Sequence, residues 1–197
     1  MPNSFTTIPN FASTLLGGAL AIAGGFAATF LAHNLQARRK RREALEFSKN
    51  LLRLLRCELE AVREIYDTGI GKLLNELPNG KLFMYRLALT EDWFSIFNTN
   101  AVHLGRIEAE LSRQTIKVYA LMKRLIEEYR INNVYIKEFD DATAESRLRA
   151  GDAQVAAKLQ WIQDLIRVQT TRIKEADRAL KTGTDELFTS LEQRGIK

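Results

Sequence analysis

"VAAKLQWIQDLIRVQTTRIKEADRALKTGTDELFTSL", Val155 to Leu191, decides the fold class. Val155, Leu159, Ile162, Ile166, Ile173, Ala176, Leu180, Leu187 and Leu191 recur in steps of four and three, with Gln169 and Gly183 on the same line. That is the spacing of a helix covered along one face, sustained for about five heptads, and it is foreign to the two-residue period of a strand. The candidate bundle seam is therefore Leu159, Ile162, Ile166, Gln169, Ile173 and Leu180. A glutamine on such a seam costs stability and can set register or partner number. Gly183 is expected to bend or loosen the last turns.

The same period appears upstream. A helix from Ile107 to Phe139 carries the face Leu111, Thr115, Val118, Met122, Leu125, Tyr129 and Ile136. "FDDATAESRLRAGD", Phe139 to Asp152, reads as a charged loop. An earlier helix carries Phe47, Leu51, Leu54, Leu55, Val62, Ile65 and Tyr66, is weakened at Gly69 and Gly71, and ends at "LPNGK", Leu77 to Lys81. Between the helices, Thr90 followed by Glu91 and Asp92 is a candidate cap for a short helix bearing Trp93, Phe94, Ile96 and Phe97. Four large apolar side chains in five positions are expected to plug the end of the core, with Asn98, Asn100 and Gly105 supplying turns.

The N-terminal part is of another kind. From Met1 to Ala37 there is no Asp, Glu, Lys or Arg, and Phe11 to Ala32 is a run of 22 residues dominated by Phe, Ala, Leu, Gly and Ile. As a helix that run is about 33 Å long, against a hydrocarbon core of about 30 Å. Pro9 stands just ahead of it, where proline can open a helix. A secretory signal needs a positively charged start and a mitochondrial presequence needs distributed arginines; both are absent here, so the run reads as a permanent transmembrane helix. Gly17, Ala21, Gly24, Gly25 and Ala28 make a small-residue stripe suited to close packing of membrane helices.

Arg38, Arg39, Lys40, Arg41 and Arg42 follow at once and carry +5, equal to the net charge of the whole chain. They read as a stop-transfer block that also grips anionic headgroups, with the N-terminus outside and the bulk in the cytoplasm. A nucleic-acid module would spread its basic residues over a folded face between aromatics, so nucleic acid is not expected as a partner.

The organisation expected is thus all-α: an N-terminal transmembrane helix continuing into an elongated antiparallel helical bundle or coiled coil. Residues 1–10 form a short outer tail, 11–33 the span, and 34–76 the basic stop and first long helix. Residues 77–106 make an irregular connection with a short aromatic helix, and 107–197 the two helices that complete the bundle. Whether the seams close within one chain or between chains is open at this level.

Catalytic chemistry finds no support. "TGIGK", Thr68 to Lys72, lacks the spacing of a phosphate loop, and no strand precedes it. Cys57 has no histidine near it in sequence and reads as a small apolar side chain at a helix interface; His33 and His103 each lack a second ligand. Glu58, Glu60, Glu64, Glu127 and Glu128 fit a solvated helix face. No catalytic, metal-binding or cofactor-binding set is assigned.

"FNTNAVHLGRIEAELSRQTIKVYALMKRLIEE", Phe97 to Glu128, combines an apolar turn, asparagines, a glycine in "LG" and a helix with tyrosine in "VYALMKRLIE". With the span and basic stop, this resembles small bacterial single-span inner-membrane proteins with a helical cytoplasmic domain, some tied to phage-defence or stress modules. The similarity covers about a sixth of the chain and has no catalytic signature. It implies a single-pass protein of the bacterial inner membrane, in contact with membrane lipid, forming a homo-oligomer and meeting a further protein partner. The function expected is a membrane-anchored interaction or scaffold protein that oligomerises through its span and its coiled helices. The alternative is a membrane effector whose assembly perturbs the bilayer. The span has only Ser13, Thr14 and Thr29 as polar side chains, too few to line a standing aqueous pore.

Overall fold

The computed structural model describes the backbone of residues 8–88 and 93–196, and side chains from residue 30 onward within those ranges. Every regular element among the described residues is helical: α1 (Ile8–Thr68), α2 (Ile70–Asn75), α3 (Ser95–Asn100), a 3₁₀ turn (Ala101–Arg106), α4 (Ala109–Leu148) and α5 (Ala153–Gln193). The chain divides into two compact units, residues 1–48 and 49–197. In the first, α1 presents Phe30, Leu31, Leu35 and Leu45 mostly exposed.

The second unit is built on α4 and α5, which pack along each other antiparallel. The turn between them is short, and Asp152 caps α5 by accepting from the backbone N–H of Gln154 at 2.9 Å and of Val155 at 3.4 Å. Every apolar seam position from Val155 to Leu191 is buried, apart from the half-buried Leu159. The α4 face from Leu111 to Ile136 is buried as its spacing predicts. The second half of α1 lies on this pair through Leu51, Leu52, Leu55 and Leu59, joined by Leu74 of α2 and by Phe83, Phe94 and Leu104 of the connection. At the far end of the chain Gly195, at φ +68°, ends α5: Gly195 N–H donates to Glu192 O and Ile196 N–H to Leu191 O. This is a Schellman closure, and it folds Ile196 into the core.

Several sequence expectations are corrected. Phe139 to Leu148 is helix, not loop, because Ala142 is fully buried against Ile162 and Ile166 while the charged residues occupy the outer side. α1 buries Leu51, Leu52, Leu55 and Leu59 and half-buries Val62 and Tyr66, so the expected Leu51, Leu55, Val62 and Tyr66 face inward, whereas the expected Leu54 and Ile65 are more than half exposed. The competing rows differ by about a third of a turn, and only the partner helices choose between them. Cys57 falls on the outer side and is exposed, not at an interface.

Trp93 and Phe94 precede α3 instead of riding on it, Asn98 and Asn100 lie within it, and the Thr90 cap falls outside the described residues. Gly183 leaves α5 unbroken; a Cβ there would meet Leu121 Cδ1 at 3.1 Å, so the glycine serves close approach of α5 to α4. Gly71 is likewise a matter of space, since a Cβ there would stand 2.9 Å from the Tyr66 ring.

Candidate functional site

The candidate residues fall into three groups. Gly17, Ala21, Gly24, Gly25 and Ala28 lie on the backbone of α1, and their side-chain surroundings are outside the described residues, as is most of the expected 11–33 span. Among the described residues no helix is long and apolar enough to cross a membrane. Arg38, Arg39, Lys40, Arg41 and Arg42 are all exposed on α1. The seam residues Ile162, Ile166, Gln169, Ile173 and Leu180 are buried within the chain against α4, with Leu159 half-buried beside them. Gln169 spends its amide N–H groups on Glu128, donating to the backbone oxygen and to Oε2, both at 2.8 Å. It thus registers α5 against α4 inside one chain.

Two polar clusters lie where the sequence suggests only packing. The first is centred on Glu58, which is buried and not on the solvated face. Its carboxylate accepts from Tyr119 Oη at 2.6 Å, from Ile96 N–H at 2.7 Å and from Phe97 N–H at 3.1 Å. The side chain thereby ties α1 to α4 and to the start of α3. Phe97 stacks on Tyr119 with ring centroids 3.8 Å apart, and Phe94 meets the same ring edge-on at 5.5 Å. Burial, then the hydrogen bond to Glu58, pushes the Tyr119 phenol well above its ordinary value.

The second cluster joins α1, α4 and α5. Tyr66 Oη donates to Asp177 Oδ1 at 2.8 Å and lies 3.2 Å from Tyr129 Oη. Because the Tyr66 proton is committed to Asp177, Tyr129 donates to Tyr66. Lys181 Nζ binds the other Asp177 oxygen at 3.0 Å. Burial is the first reason that both phenols are held far toward the neutral form; for Tyr66, proximity to Tyr129 and Asp177 adds to it. A partly open cavity of about 60 Å³ sits beside this chain of bonds, lined by Leu59, Val62, Met122, Leu125 and Leu180 together with Trp93 and Phe94.

A third polar feature positions the connection. Residues 81–88 carry no regular secondary structure, and Asn132 and Thr170 clasp Phe83: Asn132 Nδ2 donates to Phe83 O, and Phe83 N–H donates to Thr170 Oγ1, both at 3.0 Å. Asn133 pairs with both backbone groups of Leu87, accepting at 3.0 Å and donating at 2.8 Å. The asparagine side chains stand in for a neighbouring strand, which satisfies backbone groups that would otherwise be unpaired inside the protein.

Among the described residues no group of three or more His, Cys, Asp or Glu could hold a metal ion. The signal for Glu58 was present in the chain: Leu52, Leu55, Leu59, Val62 and Tyr66 form a regular row of alternating three- and four-residue steps, and Glu58 lies beside Leu55 and Leu59 on it. No family model, curated protein or solved structure matches the chain.

Proposed function

We propose that this chain is a membrane-anchored helical interaction protein that self-associates through its N-terminal apolar segment and presents its helical bundle to a protein partner in the cytoplasm. The observation carrying this reading is the junction of the uncharged run Phe11–Ala32 with the basic block Arg38–Arg42, whose side chains are exposed and make no ion pair among the described residues. Five exposed cations suit anionic headgroups, at about 1 kcal/mol each near the surface. The helical seam that was a second candidate for self-association is taken up by α4, which leaves the Gly and Ala stripe as the element for pairing copies of the chain.

The test is fractionation and crosslinking of the full-length chain in a bacterial host. The expected result is recovery in the membrane fraction after alkaline extraction, with C-terminal epitopes protected from protease outside the cell. Crosslinked multimers should diminish on Gly17→Leu and Gly24→Leu. Recovery of the chain in the supernatant would sink the anchor, and multimers unaffected by either substitution would sink the role of the stripe.

A further inference from the structure

We infer that the cavity between α1, α4 and α5, beneath Trp93 and Phe94, is a binding site for a small uncharged apolar molecule. Close-packed interiors hold few spaces larger than a water molecule, so a partly open pocket of about 60 Å³ set into the largest core cluster is a specific feature of this bundle. Most of its wall is aliphatic, from Leu59, Val62, Met122, Leu125, Ile126 and Leu180; Asp67 and Thr184 also line it, Asp67 accepting from Arg63 at 3.4 Å and Thr184 Oγ1 donating to Leu180 O at 2.9 Å.

The polar groups at its edge already have partners. Tyr66 and Lys181 are both bound to Asp177, and Arg63 donates to Asp185 at 2.6 Å. The buried side-chain atoms without a hydrogen-bond partner among the described residues are on Gln114, Asn132 and Gln169, none of which lines this cavity. A charged ligand would have to break an existing ion pair, and water would find few groups to bind. An uncharged apolar molecule requires neither, and apolar protein cavities take up xenon.

Trp93 and Phe94 line one side of the cavity, and the segment that follows them is held to α1 by Glu58 through the Ile96 and Phe97 N–H groups. The volume of about 60 Å³ limits occupants to a few heavy atoms.

The experiment is methyl-detected NMR of the full chain in lipid nanodiscs, titrated with xenon. Saturable shifts are expected at Met122, Leu125 and Leu180, with Ile162 and Ile166 of the remote core unmoved. Val62→Phe and Ile126→Phe each place a ring into the space from a half-buried position; either should weaken xenon binding at least tenfold with helicity retained. Sodium acetate at the same concentration should leave the cavity methyls unmoved. Shifts that never saturate, that are equal at Ile162 and Ile166, or that appear with acetate and not with xenon would each overturn the proposal. Should one variant fail to fold, the other variant and the residue pattern in the unmodified chain decide it.

Discussion

The two ends of the α4–α5 pair are made of the same heptad pattern and are stabilised differently. At one end, Leu111 to Tyr129 of α4 and Ile173 to Leu191 of α5 are covered by α1, α2 and the aromatic segment, and the core is continuous. At the other, Ile136 to Leu148 faces Val155 to Ile166 with a small core of Ala142, Ile162 and Ile166, flanked by Leu82, Tyr135, Phe139 and Leu159. That arm leaves Val134, Leu148 and Trp161 more than half exposed. Ion pairs brace it: Lys158 to Glu145 at 3.1 Å and Arg86 to Asp140 at 2.7 Å, all solvent-facing. Two helices bury only one stripe each, and a third layer is what turns a stripe into a core. Surface ion pairs cannot replace it, since each contributes at most about 1 kcal/mol.

The largest effect that probes this contrast is alkaline. Tyr66, Tyr119 and Tyr129 all lie at the covered end, and their folded-state values are raised above the ordinary 10.0. Below that value both folded and unfolded states are neutral and stability is constant. Above it the unfolded chain releases protons that the folded chain retains, so stability falls as pH rises. For each of the fully buried Tyr119 and Tyr129 the loss is about 1.4 kcal/mol per pH unit. Urea midpoints followed by circular dichroism should drop steadily beyond that point, and the loss should shrink in Tyr119→Phe. A flat alkaline profile would show that these hydroxyls are hydrated.

Next in size is Glu58→Leu, which strands the Tyr119 hydroxyl and two backbone N–H groups beside a fully formed core. The expected destabilisation is about 3 kcal/mol, with Glu58→Gln losing less because an amide oxygen still accepts. Denaturation monitored at Trp93 reports it; equal stability of all three proteins would remove Glu58 as the link between α1 and α3.

Asn133→Ala releases the Leu87 backbone pair and should cost about 1 kcal/mol. The sharper readout is hydrogen exchange: amides of 136–148 and 155–166 should exchange faster, while those around Tyr119 and Leu187 hold. Acceleration spread evenly over both ends would mean that the arm is no separate element of stability. The smallest effect is Glu145→Gln. Lys158 and Arg149 hold the Glu145 carboxylate below its usual range, so the pairing helps at neutral pH and is lost as pH falls through that range. The side chain is partly exposed and its partners are solvent-facing, and the expected urea midpoint is indistinguishable from that of the unmodified chain. A clear drop would show the arm to depend on its surface charges.

How much of this was legible beforehand follows from the same contrast. The seam of α5 and the α4 face are readable because their apolar rows are sustained over many turns, whereas the apolar residues off them, such as Ile116, Val134, Trp161 and Val168, are scattered and form no row of comparable length. On α1 two rows compete, Phe47–Leu54–Ile65 and Leu52–Leu59–Tyr66, and spacing alone does not choose between them. Glu58 was assigned to solvent for that reason, and Cys57 to an interface. The run Phe139–Leu148 was assigned to a loop on its charge, although a two-helix arm is charged over most of its circumference.

The sequence by itself determined the all-helical class, the heptad register of α4 and α5, and the concentration of net charge in five residues after an apolar run. These are properties of order along the chain, set by which side chains share a turn of helix. Tertiary structure alone decided that the α5 seam closes on α4 of the same chain and that α1 turns its Leu52 row inward. It also joined Glu58 to Tyr119, Tyr66 to Asp177, and the asparagines to the irregular connection. Each of these three joins residues between 46 and 111 positions apart. No local period carries such information, because a buried polar group reveals itself only by the partner that satisfies it.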